Sequence, residues 1–254
     1  MILVTGGTGT LGRQVVPLLR EAGAEVRVLT RQSRPGHLTG DLETGEGLDR
    51  ALEGVDTVLH LAGSARNDEQ KAIHLVRAAG RAGRPHIVYV SVVGCERIPV
   101  TSRIDRAMFG YFRQKRAAEV VIERSGLPWT TLRATQFYDL VWQVAQAAAK
   151  LPVMPALAGL RVQPVAAAEV ARRLVELARR EPAGLRPDLA GPRVYEMTEL
   201  FRTWLLATGR RRAVLPVRAA GGAYRAVRAG AVLPGRDADL GTETWADFLK
   251  VRAG

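Results

Sequence analysis

Short apolar runs alternate along the chain with stretches in which apolar residues recur every three or four positions. The runs at 2–5, 55–62 and 86–91 are mostly apolar, which is typical of strands buried on both faces of a sheet. Helical patterns occupy 10–22, 67–79 and 111–123. This alternation predicts an α/β fold, a Rossmann-type doubly wound parallel sheet with helices on both faces.

The C-terminal third shows weaker patterns. Helices are predicted at 168–180, 198–208 and 220–229 and strands at 161–165 and 213–217, joined by turns rich in proline and glycine. We expect a nucleotide-binding domain over 1–140 and a small substrate-binding lobe over 141–254 that partly returns to the first domain. Its large apolar residues are expected in the core rather than at a cofactor, namely Trp142, Met154, Tyr195, Trp204 and Trp245.

A glycine-rich turn, Thr-Gly-Gly-Thr-Gly-Thr-Leu-Gly at 5–12, joins the first strand to the first helix. Gly6 permits a backbone conformation that a Cβ forbids, Gly9 lets the main chain approach a pyrophosphate, and Gly12 lets the helix pack on the strand. Glycine triplets arise by chance in a chain with 26 glycines. Strand, turn, helix and strand within about 30 residues, however, are the context that a dinucleotide fingerprint requires.

The end of the second strand distinguishes the two nicotinamide dinucleotides, because an acid there binds the ribose 2′-hydroxyl and repels a 2′-phosphate. This chain has no acid there and carries Arg31, Ser33 and Arg34 instead. Guanidinium groups and a hydroxyl suit a phosphate dianion, and Arg13 adds a further cation. The alternative is that these residues only reflect a chain rich in arginine. NADP(H) is therefore the predicted cofactor.

Two other segments are predicted to contact the adenosine half. Asp41 is placed to accept a hydrogen bond from the adenine amine, although a turn carboxylate is the alternative. Ala62 and Gly63 end a buried strand with small residues, which lets adenosine lie against the backbone.

Tyr111 and Lys115 are four residues apart on a predicted helix, so both side chains project from one face. The ammonium group of Lys115 favours the phenolate of Tyr111, which eases proton transfer with a substrate oxygen, and it suits ribose hydroxyls. Taken alone, this spacing is equally consistent with a surface pair that has no function.

Several motifs together resemble the atypical short-chain dehydrogenase/reductases, specifically the NmrA-like NAD(P)H-binding group. They are the glycine turn, Leu-Ala-Gly at 61–63, the Tyr111/Lys115 pair and Ser-Gly-Leu-Pro-Trp-Thr-Thr-Leu-Arg-Ala-Thr-Gln-Phe at 125–137. The resemblance covers residues 1–140 and, more loosely, 162–171.

The resemblance implies a role for each matching position. Its cofactor contacts extend to Thr8, Thr10 and Leu11 near the pyrophosphate and to Leu42 beside Asp41 at the adenine. Arg31 meets the 2′-phosphate, Lys115 holds the nicotinamide ribose, and Tyr111 is the acid/base. Residues 134–137 pass close to the nicotinamide, which makes Phe137 and Tyr138 candidate walls of the substrate site.

Two features depart from that family. Its reductases usually place a serine or threonine near the end of the fifth strand, often as the second residue of a Ser-Ser pair. Here residues 91–92 are Ser-Val, so Ser91 is either a catalytic residue displaced by one position or a group that satisfies the backbone. The stretch 95–110 is longer than the usual connection, and it is either a substrate lid or a plain insertion.

Composition limits the other classes of function. The formal net charge is +12, and 33 of the 37 basic residues are arginine, scattered among apolar residues of predicted helices. We therefore expect solvated faces and no nucleic-acid partner. A single cysteine, Cys95, excludes an internal disulfide, and no Cys/His spacing suggests a metal. Without a leader or an apolar run of membrane length, a cytoplasmic monomer or homodimer with a small-molecule substrate is expected.

These observations predict an NADPH-dependent reductase of carbonyl or quinone-like small molecules, with Tyr111 as the proton donor and Lys115 as the charge anchor. A sensor of NADP(H), a role known in the NmrA-like group, is the alternative. An epimerase or dehydratase with tightly bound NAD is a third option, which the arginines after the second strand disfavour.

Overall fold

The computed structural model describes residues 1–63 and 66–253. Its first half consists, in chain order, of β1 (Ile2–Thr5), α1 (Gly12–Glu21), β2 (Val26–Thr30), β3 (Leu38–Thr39), α2 (Leu48–Leu52), β4 (Thr57–His60), α3 (Asp68–Arg81), β5 (His86–Val92), α4 (Arg103–Glu123) and β6 (Trp129–Ala134). The second half consists of α5 (Tyr138–Ala148), β7 (Val153–Leu157), β8 (Arg161–Val162), α6 (Ala167–Ala178), β9 (Gly184–Leu185), β10 (Leu189–Ala190), β11 (Tyr195–Glu196), α7 (Met197–Ala207), β12 (Ala213–Val217), α8 (Gly222–Arg228), β13 (Asp239–Leu240) and α9 (Trp245–Ala253).

The chain divides into two compact units, each made of three segments. The first unit comprises Met1–Ser91, Gly110–Arg133 and Ala168–Arg186, and the second comprises Val92–Phe109, Ala134–Ala167 and Pro187–Gly254. The unit boundaries therefore differ from the predicted division at residue 140. Among the described residues, no helix combines the length and the apolar character needed to cross a bilayer.

The first unit contains a sheet in the order β3-β2-β1-β4-β5-β6, with β9 beside β6. Strand β1 pairs in parallel with both β2 and β4, through Ile2↔Val26 and Ile2↔Thr57. This strand order is that of a dinucleotide-binding Rossmann fold, and the predicted fold class is confirmed. The order of the strands reverses between β1 and β4, so the carboxyl ends of these two parallel strands border the crevice where such folds bind ligands.

Helices cover this sheet with their apolar stripes. Val15 and Leu19 of α1 and Ala72, Leu75 and Ala79 of α3 are fully buried. Strands β1, β4 and β5 are buried along their whole length, as expected for central strands of a parallel sheet covered on both faces. Pro17 lies inside α1, on the exposed face of that helix.

Helix α4 is fixed to the sheet by a buried ion pair. The guanidinium of Arg133 on β6 donates two hydrogen bonds to the carboxylate of Glu119, of 2.9 and 2.8 Å, and Glu119 is fully buried. Burial alone would raise the pKa of Glu119, but hydrogen bonds from Arg133 and Ser91 and the nearby positive charges lower it overall. The pair therefore holds the helix that carries Tyr111 and Lys115 in one register.

The stretch 95–110, predicted as a lid or an insertion, is partly helical. Residues 103–110 form the first turns of α4, and Ser102 and Asp105 cap that helix reciprocally. The backbone N–H of Asp105 donates to Ser102 Oγ at 3.0 Å, and that of Ser102 donates to Asp105 Oδ2 at 3.1 Å. A hydrogen bond from the Ser102 side chain to the Asp105 carboxylate is the main reason that the pKa of Asp105 is lowered. Asp105 further accepts the N–H of Ala223, at 3.1 Å, which ties α8 to this helix start.

The second unit has an aromatic core. Tyr138, Trp142, Trp245 and Phe248 form a chain of ring contacts with centroids 5.4–6.3 Å apart, and Trp142 also contacts Trp204. The prediction that the large apolar residues of this region lie in the core is confirmed for Trp142, Met154, Tyr195, Trp204 and Trp245. Helices α5 and α9 and strand β7 were not predicted, and the strand predicted at 161–165 is confined to Arg161–Val162.

We expect Glu119→Gln to lower the free energy of unfolding by about 3–5 kcal/mol at neutral pH, because it leaves Arg133 buried without its counter-charge. The pKa of Glu119 is lower in the folded than in the unfolded chain, so its contribution is complete above pH 4.5 and is lost as the pH falls through the folded value. Urea unfolding at several pH values should therefore show the gap between variant and parent narrowing in acid.

The exposed pair of Arg173 and Glu176 supplies the control, since its carboxylate is 51% exposed. Glu176→Gln should change stability by about 1 kcal/mol or less. A Glu119→Gln variant as stable as this control would contradict the assigned role.

Candidate functional site

The glycine turn after β1 approaches the end of β4 so closely that side chains are excluded. Gly6 has φ +72°, and a Cβ on it would lie 2.7 Å from the backbone nitrogen of Ala62. A Cβ on Gly12 would collide with the backbone of Gly6 and Gly7. The Gly9 N–H donates to the Gly6 carbonyl at 3.0 Å, which closes the turn. The turn thus keeps its shape only with glycine at positions 6 and 12.

A cavity of about 760 Å³ opens beside this turn within the first unit. Many of the predicted cofactor residues line it, namely Gly6, Thr8, Gly9, Arg31, Asp41, Leu42, Ala62 and Gly63. Thr10, Leu11 and Gly12 stand at the start of α1, outside the lining. Ser33 is exposed on the loop between Arg31 and Arg34 and does not line the cavity either, so the structure does not bring it to the predicted contact.

Basic side chains collect at one end of the cavity. Arg31, Gln32 and Arg34 follow β2 and form part of its wall. Arg13 lies at the glycine turn, where its Nε donates to the carbonyl of Thr8 at 2.8 Å. Arg31, Gln32 and Arg34 thus form a cationic, hydrogen-bonding wall, whereas Arg13 does not line the cavity and braces the turn.

Helix α3 fastens the loop 41–47 that forms another wall. His74 Nδ1 lies 2.9 Å from the carbonyl of Leu42, and Lys71 Nζ lies 3.6 Å from Glu43 Oε1. Asp41 Oδ1 accepts the N–H of Glu43 at 2.8 Å, so this carboxylate makes the turn contact that the sequence left as its alternative. The side chain nevertheless lines the cavity, where it remains available to a ligand.

The floor of the cavity, between the ends of β1 and β4, is formed by two uncharged polar side chains, those of Thr5 and His60. Thr5 Oγ1 lies 2.7 Å from His60 Nδ1 and accepts the N–H of Ala62 at 3.4 Å. His60 stacks on Tyr89 with a centroid distance of 5.4 Å. Burial, reinforced by the charges of Lys115 and Lys71, lowers the pKa of His60 to about 3. His60 is therefore a neutral hydrogen-bonding residue at the end of β4.

Lys115 is buried at the edge of the cavity. Its Nζ donates to the carbonyl of Val90 at 3.3 Å and lies 3.5 Å from Asp68 Oδ2. It also lies 4.9 Å from the ring centre of Tyr89 and 5.7 Å from that of Tyr111. Burial alone would lower the pKa of Lys115, but Tyr89, Tyr111 and Asp68 raise it overall, so the side chain stays an ammonium ion.

The two phenols beside Lys115 differ in exposure. Tyr111 is 37% exposed on α4, whereas Tyr89 is 1% exposed on β5. Burial is the main reason that the pKa of Tyr89 is raised, with Lys115 opposing the shift. Tyr111 is therefore the phenol that a small molecule can reach.

Two predicted site residues lie elsewhere than expected. Ser91 is buried and donates a hydrogen bond to the Glu119 carboxylate, so its hydroxyl belongs to the ion pair that fixes α4 and does not suit the predicted catalytic role. Tyr138 is fully buried, and its hydroxyl donates to the carbonyl of Glu243 at 2.8 Å. This places Tyr138 in the core of the second unit, where it cannot form a wall of a substrate site. Phe137 is half-buried, and its role stays a prediction.

The sequence did not single out Asp68 and Lys71, although both belong to the site. Lys71 lines the cavity, and Asp68 contacts both Lys71 and Lys115. One signal was present: the chain has only four lysines among its 37 basic residues, and two of them are here.

Comparison with known proteins gives a family match and relatives. A family model described as NAD(P)H-binding matches residues 6–181. A (4-alkanoyl-5-oxo-2,5-dihydrofuran-3-yl)methyl phosphate reductase of Streptomyces griseus is 35% identical over 147 residues, which are 54% of this chain and 48% of that protein. A ceramide reductase of Caulobacter vibrioides is 30% identical over 226 residues, 80% of this chain and 68% of that protein. The chain thus spans about half the length of the first relative and two thirds of the second.

A solved structure shows the same fold. The NADPH-dependent quinone oxidoreductase of Escherichia coli, complexed with NADPH, superposes with a TM-score of 0.80 at 18% identity and with full coverage of both chains.

The lowered pKa of His60 predicts a ring that stays neutral at about pH 5 in the folded protein. Histidine-selective NMR at several pH values measures this, with the signal assigned from a His60→Asn variant. In urea the same ring should titrate near the ordinary value of 6.5. Because the unfolded chain takes up a proton that the folded chain refuses, His60 also reduces stability as the pH falls below 6.5. A cationic His60 in the folded protein at about pH 5 would contradict this description of the cavity floor.

Proposed function

Because this chain belongs to the NAD(P)H-binding family, we propose that it is an NADPH-dependent reductase that delivers a hydride to a carbonyl or quinone-like small molecule. The family match confirms the NAD(P)H-binding group that its motifs indicated. The assignment to the atypical short-chain reductases is part of this proposal, and the shared fold supports it. The substrate class is our inference, supported by relatives and a structural neighbour named as reductases.

The residues around the cavity fit a dinucleotide. Gly6 and Gly9 line the cavity with main chain, and their turn stands at the N-terminus of α1, where backbone N–H groups and the helix dipole favour a pyrophosphate. Asp41 and Leu42 would contact the adenine, and the small residues Ala62 and Gly63 would border the adenosine.

Arg31 and Arg34 support NADPH over NADH. Both line the cavity after β2, at the position where an acidic residue would bind a 2′-hydroxyl. Guanidinium groups there offer charge-assisted hydrogen bonds to a 2′-phosphate that NADH lacks.

The single observation that carries the reductase proposal is the placement of Lys115 and Tyr111. The ammonium group is buried beside the cavity edge and lies 5.7 Å from the ring centre of an exposed phenol. When bound, the nicotinamide supplies the hydride. Tyr111 then donates its phenolic proton to the oxygen that gains negative charge on the substrate.

Lys115 has two tasks in this reaction. Its fixed positive charge stabilises the tyrosinate left behind by proton donation, which lowers the cost of the transfer. Its Nζ is also the group expected to hold the ribose hydroxyls of the nicotinamide half. The substrate-binding role expected of residues 141–254 and of Phe137 is part of the same proposal.

We expect Arg31→Ser/Arg34→Ser to weaken NADPH binding by about tenfold for each guanidinium lost while NADH binding stays the same. Isothermal titration calorimetry with both dinucleotides measures this. Arg180→Ser is the matched control, because this exposed arginine follows α6 and does not line the cavity. An equal loss for NADPH and NADH would refute the assigned 2′-phosphate contact.

Tyr111→Phe should lower kcat by about 10²–10⁴-fold with little change in the dissociation constant of NADPH, because it removes a proton donor and leaves the cavity intact. NADPH oxidation with a panel of ketones and quinones measures the rate. Tyr224→Phe, which removes a hydroxyl bonded to the carbonyl of Ala158, serves as the control.

Two outcomes would overturn the proposal. Unchanged turnover in Tyr111→Phe would remove Tyr111 from the mechanism. A parent protein that binds NADPH, reduces nothing in the panel and binds a partner according to the NADP⁺/NADPH ratio would be the sensor that the sequence left as the alternative.

A further inference from the structure

One buried carboxylate, that of Asp68, is shared by two lysines. Asp68 Oδ1 lies 3.4 Å from Lys71 Nζ, and Oδ2 lies 3.5 Å from Lys115 Nζ. The three side chains are 2%, 10% and 4% exposed, so the cluster is almost dry. Its two cations come from different elements, Lys71 from α3 and Lys115 from α4.

The position of Asp68 at the first turn of α3 has a simple helical explanation, since a carboxylate there interacts well with the helix dipole. That interaction is available to an exposed side chain, as with neighbouring Glu69. Burying the carboxylate costs free energy that only close partners recover. The burial of Asp68 therefore points to the lysines rather than to the helix terminus.

Both lysines lie at the same cavity, one lining it and the other behind a residue that lines it. Lys71 lines it directly, and its Nζ also lies 3.6 Å from Glu43 Oε1 on the loop that carries Asp41 and Leu42. Lys115 lies behind Gly63, which lines the cavity, since a Cβ on Gly63 would be 2.5 Å from its Nζ. One carboxylate thus connects the adenosine wall to the residue expected at the nicotinamide ribose.

We infer that Asp68 is a positioning residue that holds Lys71 and Lys115 against the two halves of one bound dinucleotide, and that Lys71 is a binding residue for the adenosine half. The identity of the ligand rests on the proposed function, and the geometry of the cluster does not.

Whether substitution of Asp68 weakens or tightens dinucleotide binding distinguishes a positioning role from a purely electrostatic one. The dinucleotide is a polyanion, so a carboxylate near it repels it, and removing that charge alone would tighten binding. If Asp68 acts by holding the two lysines in place, its removal weakens binding instead.

The experiment is calorimetric titration of the full-length chain with NADPH and with adenosine 2′,5′-bisphosphate, which represents the adenosine half alone. Asp68→Asn should weaken both ligands by about tenfold, the scale of one lost charge-assisted contact, and Asp68→Glu should restore part of the loss. The control is Asp49→Asn, because this carboxylate is 70% exposed and pairs with Arg81.

Single lysine variants keep the test valid if Asp68→Asn fails to fold, which circular dichroism would show. Lys71→Met should weaken both ligands. Lys115→Met should weaken NADPH and leave adenosine bisphosphate binding unchanged. This split distinguishes a bridge across the two halves from a general loss of structure.

Two results would overturn the inference: adenosine bisphosphate binding by Asp68→Asn that is as tight as in the parent or tighter, or Lys71→Met without effect on that ligand. All of these are binding measurements. A parent protein that shows the expected pattern but reduces no carbonyl or quinone would refute the proposed reaction and leave this inference standing.

Discussion

The close approach of the glycine turn to the end of β4 is the constraint on which the site depends. Gly6 lies so near the backbone of Ala62 that no side chain fits between them. The same turn brings Gly12 against Gly6 and Gly7, which sets α1 directly behind the turn. Side chains such as those of Arg31 and Asp41 form other walls of the crevice, but at the glycine turn it is bordered by the main chain of Gly6 and Gly9. Such a surface suits a ligand whose centre is a pyrophosphate.

Around the glycine turn, buried ion pairs fix the positions of Lys115 and of the helix that carries Tyr111. Helix α4 carries Lys115 and, one turn later, Glu119, and each is bound to a partner beneath it. Glu119 meets Arg133 and Ser91 from the sheet, whereas Lys115 meets Asp68 from α3. The first contact fixes the register of the helix, and the second fixes the ammonium group at the cavity edge. Two paired charges in one apolar layer are costly to separate, which keeps Tyr111 within reach of Lys115.

The sequence predicted the fold class and the position of the glycine turn well, because both follow from local rules. Buried parallel strands require continuous apolar runs, and a turn without room for side chains requires glycine, so these elements are visible in the order of the residues. The Tyr111/Lys115 pair was visible for the same reason, since helical spacing places both residues on one face. Helix α9 was not visible, because its apolar residues form only a weak stripe and Val251 is 87% exposed.

What the sequence by itself determined is thus the α/β architecture and the glycine turn, and it supplied the candidate residues for cofactor binding. Only the tertiary structure decided which of them meet. It assigned Ser91 to the Glu119 ion pair, placed Tyr138 in an aromatic core and brought Asp68 between two lysines, one three residues away and the other 47. Which distant residues come into contact depends on how the helices and strands pack. The identity of these partners leaves no periodic signal along the sequence.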